Sequence, residues 1–308
     1  MIPVLIIGFN RPDKTKKVFE IVCANAPPCL YFSLDGPRKG NARDDLAHRE
    51  LLRIFQYYKD KYENINFYLN IHDKNMGCRI AVPSAINWFF KDEEYGVILE
   101  DDILPNSSFF RFMEEMLILY SNDENVYQVN GYVLTENGDS SKYWKSKVFH
   151  CWGWGTWKGA WSNYSDSMSL LESNRTNVLD SISKDKRIRI FFSALLDSTR
   201  QGKNSSWFFR WILAAHMSNG YCICPQVSLV ENIGIDSTAT HSSKEFHLAN
   251  HASDDMIWPI HECDNGLDLD HYFFTNFYRL NNNIRFARVL IQRYIPNYMF
   301  WFIRNILR

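Results

Sequence analysis

The sequence predicts an α/β fold built on a mostly parallel, Rossmann-like β-sheet flanked by helices. Short apolar runs alternate with helical patterns over residues 1–131, which is the rhythm of βαβ units. One of these runs, residues 97–99, ends in the three carboxylates Glu100, Asp101 and Asp102. Parallel strands are buried and present ligand-binding groups at their carboxyl ends, so this ending predicts a functional site there.

The elements follow from apolar runs, helical spacing and turn residues. Strands are expected over residues 4–7, 30–34, 65–71, 96–99 and 126–129. Helices are expected from Pro12, over 42–60 and 79–90, and after the capping segment 105–107. Further along, one helix is expected over about 188–196, another over 207–216, and a strand over 221–230 that places Cys222 and Cys224 on one face.

Composition limits the function classes. A chain of 308 residues is long enough for one large domain or a domain with an appendage, and 46% hydrophobic residues can form a sizeable core. A net charge of -1 gives no overall attraction to nucleic acid. Seven cysteines without a CxxC pair favour reduced thiols in a cytosolic protein over disulfides or zinc.

The beginning of the chain is expected to be the first strand and not a signal peptide, because it lacks a basic segment. No apolar run reaches the length of a membrane span. A GxGxxG motif does not follow the first strand, and GxxxxGK[ST] does not occur. Dinucleotide binding and P-loop chemistry are therefore unsupported.

The acidic triplet indicates a binding site for a cation. Three consecutive carboxylates repel one another unless a positive charge lies among them. A divalent ion that bridges to a diphosphate would supply that charge. An exposed acidic turn is the alternative, and it would need no ligand.

Residues 151–157 are rich in Trp and Gly, and they include Trp152, Trp154 and Trp157. Indoles beside glycine suit stacking on sugar rings, and they equally suit packing in a core. Both interpretations stay open at this stage.

The end of the chain forms a basic, aromatic tail. After Asp270 there is no Asp or Glu but there are six Arg residues, and Arg285, Arg288 and Gln292 share one face of a predicted helix. Basic residues with Trp and Phe anchors are typical of a helix in an anionic membrane interface. The alternative is a helix pair packed on the domain or on a second subunit.

Taken in order, the motifs resemble those of GT-A glycosyltransferases, specifically the bacterial enzymes similar to N-acetylglucosaminyltransferase I. The matching segments are residues 6–12 (IIGFNRP), 33–36 (SLDG), 75–79 (NMGCR), 98–102 (ILEDD), 152–157 (WGWGTW), and 232–234 (NIG) followed by 239–241 (ATH). The resemblance implies a GT-A domain over 1–245, with a nucleotide-binding half at 1–131, an acceptor-binding half at 132–245 and a helical extension at 246–308.

The resemblance also assigns residue roles. Arg11 and Asp35 would hold the nucleotide, because a carboxylate can accept the uracil N3–H that cytosine lacks. The residues implied for the nucleotide-sugar are Asn10, Arg11, Asp35, Asn75, Gly77, Arg79, Glu100 and Asp101. Those implied for the acceptor are Trp152, Trp154 and Trp157.

The resemblance also implies a bound metal ion. Asp102 would be the direct ligand of Mn²⁺ or Mg²⁺, and His241 would close over the metal or the diphosphate. Such an ion would neutralise the leaving diphosphate.

The general base departs from the family pattern. The animal enzyme carries an acidic pair in a Trp-flanked segment, and one of those Asp residues is its base. The corresponding stretch here, residues 207–211 (WFFRW), has no carboxylate. An inverting transferase needs a base near the acceptor oxygen, so either the base comes from elsewhere or the mechanism is not simply inverting. Glu231 and Asp236 are the nearest later carboxylates.

The implied activity is transfer of a sugar from a UDP-sugar to a hydroxyl of a bacterial surface-polysaccharide or lipid-linked glycan. The tail would hold the enzyme at the inner face of the plasma membrane, and no nucleic acid partner is expected. Two alternatives remain: a non-catalytic glycan-binding or assembly subunit on a decayed transferase fold, and a sugar nucleotidyltransferase. The latter usually has a Gly-rich signature after the first strand, which residues 8–12 match poorly.

Overall fold

The computed structural model describes residues 1–135, 137–234 and 253–295. The strands are β1 Val4–Gly8, β2 Cys29–Leu34, β3 Asn66–Ile71, β4 Tyr95–Glu100, β5 Ile103–Pro105, β6 Val126–Asn130, β7 Lys142–Ser146, β8 Trp154–Trp157, β9 Tyr221–Pro225, β10 Val230–Asn232 and β11 His261–Glu262. The helices are α1 Pro12–Ala24, α2 Ala42–Lys61, α3 Cys78–Phe89, α4 Phe109–Leu119, α5 Lys158–Trp161, α6 Leu171–Ile182, α7 Lys186–Arg200, α8 Phe208–Met217, α9 Gly266–Phe277 and α10 Asn283–Tyr294.

A large, mostly parallel sheet flanked by helices forms the centre of the molecule, which confirms the predicted α/β class. Its nine strands lie in the order β11-β7-β9-β6-β8-β4-β1-β2-β3. The block from β3 to β4 is parallel throughout. β8 runs antiparallel between β4 and β6. β5 and β10 form a separate antiparallel pair.

Most predicted elements are confirmed with small shifts at their ends. Asn106 caps α4, because its Oδ1 accepts hydrogen bonds from the backbone N–H groups of Ser108 and Phe109, both at 3.1 Å. Cys222 and Cys224 do share one face of β9, with their sulfurs 3.8 Å apart. The expected strand over 221–230 was wrong in its length, since β9 ends at Pro225 and β10 is a separate strand.

The core is continuous from the sheet into the helices that follow it. Phe273 and Phe277 of α9 belong to the same buried apolar cluster as β1 and β4. Asp270 of α9 accepts hydrogen bonds from Trp144 Nε1 at 3.0 Å and from the backbone N–H of Lys147 at 2.8 Å. α9 is therefore packed on β7 as part of the sheet's own core.

The next helix, α10, packs on α7. Arg187 of α7 donates to the carbonyl of Leu280 at 2.6 Å and to Asn283 Oδ1 at 2.7 Å, and its guanidinium lies over the Phe286 ring. In the part of the chain that the structure describes, no helix has the length and apolar character needed to cross a bilayer. Residues 296–308 of the predicted membrane-binding tail lie outside the described residues.

Candidate functional site

The carboxyl ends of β1 and β4 lie side by side, where Ile7 pairs with Glu100. From β1 the chain runs outward to β2 and β3, and it then returns to the other side of β1 as β4. Ligands of open α/β sheets bind at such a switch point, outside the carboxyl ends of the strands. The acidic triplet predicted from the sequence stands at this position.

Arg11, just after β1, bridges two of the three carboxylates. Its Nη2 lies 2.5 Å from Asp101 Oδ1, and its Nη1 lies 2.5 Å from Asp102 Oδ2. Asp101 is only 1% exposed, and its second oxygen accepts the backbone N–H of Phe9 at 3.2 Å. Burial acts to lower the pKa of Arg11, but the charges of Asp101 and Asp102 outweigh it and raise that pKa.

Glu100 and Asp102 keep oxygen atoms uncommitted. Among the described residues, no hydrogen-bond donor reaches the Glu100 carboxyl or Asp102 Oδ1. Burial raises the pKa of Glu100, and the neighbouring charge of Asp102 raises it further. A positive charge placed beside these oxygens would therefore favour the ionised form of Glu100.

A later segment closes on Asp102 from the opposite side. β10 pairs with β5, so Asn232 lies opposite Ile103, and the backbone N–H of Ile233 donates to the Asp102 carbonyl at 2.9 Å. At Gly234 a Cβ would stand 1.8 Å from Asp102 Oδ2. Glycine is required there because any side chain would overlap the carboxylate.

Asp35 organises the loop that follows β3. Its Oδ1 accepts the backbone N–H groups of Gly36 and Met76, both at 2.9 Å. Its Oδ2 accepts Asn75 Nδ2 at 2.9 Å and the backbone N–H of Gly77 at 3.0 Å. Gly77 has φ +73°, a conformation that favours glycine. Asp35, Asn75 and Gly77 are thus brought together as predicted, and their contact with a nucleotide stays a prediction.

Asn10 is held by a residue that the sequence analysis missed. Its Nδ2 donates to Asp44 Oδ1 at 2.8 Å, and Arg38 binds the same carboxylate through Nε at 2.6 Å and Nη2 at 2.9 Å. These bonds, with the one from Arg38 as the largest cause, lower the pKa of Asp44. Asp44 lies in the first turn of α2, where an acidic residue looks like an ordinary helix start.

Arg79 also has an unforeseen partner. Asp166, in the loop between α5 and α6, accepts Arg79 Nε at 2.9 Å and Arg79 Nη2 at 2.6 Å. Arg210 of α8 lies 2.9 Å from the same carboxylate. Asp166 is 87 residues from Arg79 in the sequence, and no local pattern announces such a contact.

The cleft beside Arg79 has a volume of about 650 Å³. It runs along α3 at the end of β3, and its lining includes His72, Met76, Trp88 and Tyr164. Arg11 and the acidic triplet are not among its lining residues, so it is separate from the switch point. Arg79 and Asp166 form part of its wall.

The three predicted acceptor tryptophans have different surroundings. Trp154 is 1% exposed and packs against Trp161, Trp207 and Trp211, so its indole serves the core. Trp152 and Trp157 are partly buried. The acceptor roles of these residues stay predictions.

Of the two candidate bases, only Glu231 lies among the described residues. Glu231 is exposed in the middle of β10, whereas its neighbours Val230 and Asn232 are buried. Successive side chains of a strand point to opposite faces, so Glu231 points away from the face of Asn232. Asp236 and His241 lie outside the described residues.

The donor chemistry fits a hard divalent cation. Asp102 Oδ1 and the Glu100 carboxyl are carboxylate oxygens, the ligand type that Mg²⁺ and Mn²⁺ prefer. Over the described residues, no three His, Cys, Asp or Glu side chains are arranged to hold a metal by themselves.

Comparison with known proteins gives a weak structural likeness. The crystal structure of HddC from Yersinia pseudotuberculosis matches with a TM-score of 0.30 and 12% sequence identity, covering 51% of this chain and 77% of that chain. No protein-family model and no curated protein matches the sequence. At this TM-score the likeness carries no argument about the function of this chain.

Proposed function

We propose that this protein is a metal-dependent glycosyltransferase of the GT-A type, which moves a sugar from a UDP-sugar to a hydroxyl of a glycan. The observation that carries this proposal is the position of Asp102 at the switch point between β1 and β4, where no donor of the described residues reaches its Oδ1. Arg11 after β1 and the Asp35 loop after β2 adjoin the same edge of the sheet. The motif order along the chain supports the same activity.

The nucleotide part of the donor would lie against the loops after β1, β2 and β3. Asp35 holds the backbone of Met76 and Gly77 in place, so this loop is pre-organised before a ligand arrives. In the proposed complex, Arg11 and Asn10 border the nucleotide, as the resemblance implies.

Asp102 and Glu100 would hold Mn²⁺ or Mg²⁺, which when bound neutralises the charge of the leaving diphosphate. Arg11 bonds to both Asp101 and Asp102 and offsets part of their negative charge. These two contacts hold the carboxylates in place for the ligand.

For the general base we propose Asp236. It follows Gly234 by two residues, and the backbone of Gly234 adjoins Asp102. Glu231, the other candidate, has its side chain on the exposed side of β10. Asp236→Asn is expected to lower turnover by at least 10²-fold and leave UDP affinity unchanged. Equal turnover of Asp236→Asn and wild type would exclude this assignment.

Binding of UDP tests the proposed function without knowledge of the acceptor. Titration calorimetry is expected to show UDP binding in Mn²⁺ that is lost in EDTA and in Asp102→Asn. Asp45→Asn is the matched control, because Asp45 is an exposed carboxylate on α2 outside the acidic triplet. A protein that binds no UDP in Mn²⁺ would support the decayed-scaffold alternative.

We also propose that the carboxyl-terminal tail binds an anionic membrane surface, where lipid-linked acceptors lie. Because α10 packs on α7, truncation after Ile295 spares this helix and removes only residues 296–308. The full chain is expected to sediment with vesicles containing anionic lipid, and the truncated chain is expected to stay in the supernatant. Equal sedimentation of the two would exclude a membrane role for residues 296–308.

A further inference from the structure

The contact between Arg79 and Asp166 joins two parts of the chain across the end of α3. Arg79 lies in the first turn of α3, and Asp166 lies in the loop between α5 and α6. The guanidinium and the carboxylate meet through two hydrogen bonds, at 2.9 and 2.6 Å. A paired arrangement of this kind is the strongest that Arg and a carboxylate can form.

The cluster holds one more positive than negative charge. Arg210 lies 2.9 Å from Asp166, so two guanidinium groups share a single carboxylate. Burial lowers the pKa of Arg210, and the charge of Arg79 lowers it further, as expected for two neighbouring cations. The surplus charge lies at the amino-terminal end of α3, which is the positive end of the helix dipole.

Arg79 and Arg210 differ in their exposure and in their hydrogen-bond partners. The Arg210 side chain is 2% exposed, and it also donates to the carbonyls of Asp166 at 2.9 Å and Ser206 at 2.8 Å. The Arg79 side chain is 41% exposed, and among the described residues its hydrogen-bond partner is Asp166. Solvent screens the partly exposed pair of Arg79, so Arg79 can exchange this carboxylate for another anion at a modest cost, whereas Arg210 is fixed in the interior.

Arg79 is also close to the candidate nucleotide site. It follows Gly77, whose N–H binds Asp35, by two residues. The backbone of Arg79 therefore lies beside the loop that Asp35 organises.

We propose that Asp166 is a positioning residue that holds Arg79 in the free protein and competes with the diphosphate of the nucleotide for it. This inference rests on the proposed function. A ligand that takes Arg79 must first break its pair with Asp166, and this lowers the apparent affinity. Arg210 keeps its bonds to the carboxylate and the carbonyl of Asp166 during the exchange.

The test is the dissociation constant of UDP in Mn²⁺, measured by calorimetry. Asp166→Asn is expected to bind UDP about fivefold more tightly, as loss of one partly exposed ion pair allows. Asp166→Glu is expected to behave as wild type, and Arg79→Gln to bind more weakly. In Arg79→Gln, the further change Asp166→Asn is expected to have no effect.

If Asp166 only supported the fold, Asp166→Asn would weaken UDP binding. Tighter UDP binding by this variant therefore distinguishes the proposed role from a structural one. Glu94→Gln is the control, because it breaks an exposed pair with Lys158 that is not part of this cluster. Thermal unfolding of each variant confirms that it is folded. Unchanged or weaker UDP binding in Asp166→Asn would overturn the inference and leave the proposed function standing. Wild-type protein that binds no UDP would overturn both.

Discussion

A single residue, Arg11, decides the electrostatics of the switch point. Three consecutive carboxylates would repel one another in a buried setting, and Arg11 lies 2.5 Å from an oxygen of two of them. Its guanidinium offsets part of the repulsion between Asp101 and Asp102. The third carboxylate, Glu100, has no such partner among the described residues, and its pKa is raised accordingly.

The first prediction concerns the stability that Arg11 provides. Arg11→Met is expected to lower the free energy of unfolding by about 3 kcal/mol, because Asp101 and Asp102 then lose their counter-ion. Lys158→Met is the control, because it breaks an exposed pair and should change the free energy by less than about 1 kcal/mol. Urea unfolding measures both. Equal effects of the two substitutions would contradict this account of the switch point.

The second prediction compares two glycines. Gly234→Ala is expected to destabilise the protein by about 1–3 kcal/mol, because its Cβ would overlap Asp102 Oδ2. Gly159→Ala, in α5, meets nothing within 4 Å and is expected to be neutral or stabilising. Chemical unfolding of both variants gives the comparison. If Gly234→Ala is as stable as Gly159→Ala, the segment after β10 does not pack on Asp102.

At the scale of elements, the site consists of loops that follow neighbouring strands. Asp35 ties the loop after β2 to the loop after β3 through Asn75, Met76 and Gly77. The pair β5–β10 adds the segment that covers Asp102. The sheet therefore fixes the site through strand ends, and each loop is held by a carboxylate or by backbone pairing.

The third prediction tests the Asp35 loop. Asp35→Ala leaves four donors without their acceptor and is expected to lower the unfolding free energy by about 3 kcal/mol. In the proposed function it also weakens UDP binding. The control is Asp45→Ala, on the exposed face of α2. Circular dichroism during urea titration measures the first effect. A change of under about 1 kcal/mol would mean that the loop does not depend on Asp35.

The elements that the sequence predicted are those with a strong local signal. β1, β2, β4 and β6 are continuous buried runs, which is how strands of a parallel sheet look. β7 alternates lysine with aromatic residues, and β8 is half glycine and threonine between two tryptophans, so neither stood out. α6 was missed because it is rich in Ser and Asn, which are weak helix formers.

The part of the site that could be predicted from the sequence is the part that lies at the ends of neighbouring strands. The closeness of Arg11 to Asp101 and Asp102 follows from β1 and β4 being neighbours. The contacts of Asp44 and Asp166 could not be predicted, because each depends on a loop reaching a helix from another part of the chain. Such contacts are set by tertiary packing and leave no periodic trace in the sequence.

At the scale of the whole molecule, the aromatic core contains two neutral histidines. His150 is packed among Tyr132, Trp152 and Phe277, and His216 contacts Phe149. Burial lowers the pKa of each to about 3, helped at His216 by the charge of Lys147. In the unfolded chain both would titrate near 6.5.

The fourth prediction follows from these pKa values. Because the unfolded state binds protons that the folded state excludes, stability is full above about pH 6.5 and falls as the pH is lowered toward 3. The expected loss is about 1.4 kcal/mol per pH unit for each histidine. Urea unfolding at several pH values between 6 and 5 measures the slope in wild type and in His216→Gln, and the difference between the two slopes isolates the contribution of His216, because the raised pKa of Glu100 acts in the opposite direction in both proteins. Equal slopes in the two proteins would contradict neutral burial of His216.

The most direct test of the central claim is release of UDP from a panel of UDP-sugars, because slow hydrolysis needs no acceptor. One donor is expected to be turned over in Mn²⁺ by the wild type and by Asp45→Ala. This turnover is expected to be lost in EDTA and in Asp102→Ala. Turnover that persists in Asp102→Ala, or its absence for every donor together with absent UDP binding, would contradict a metal-dependent glycosyltransferase centred on Asp102.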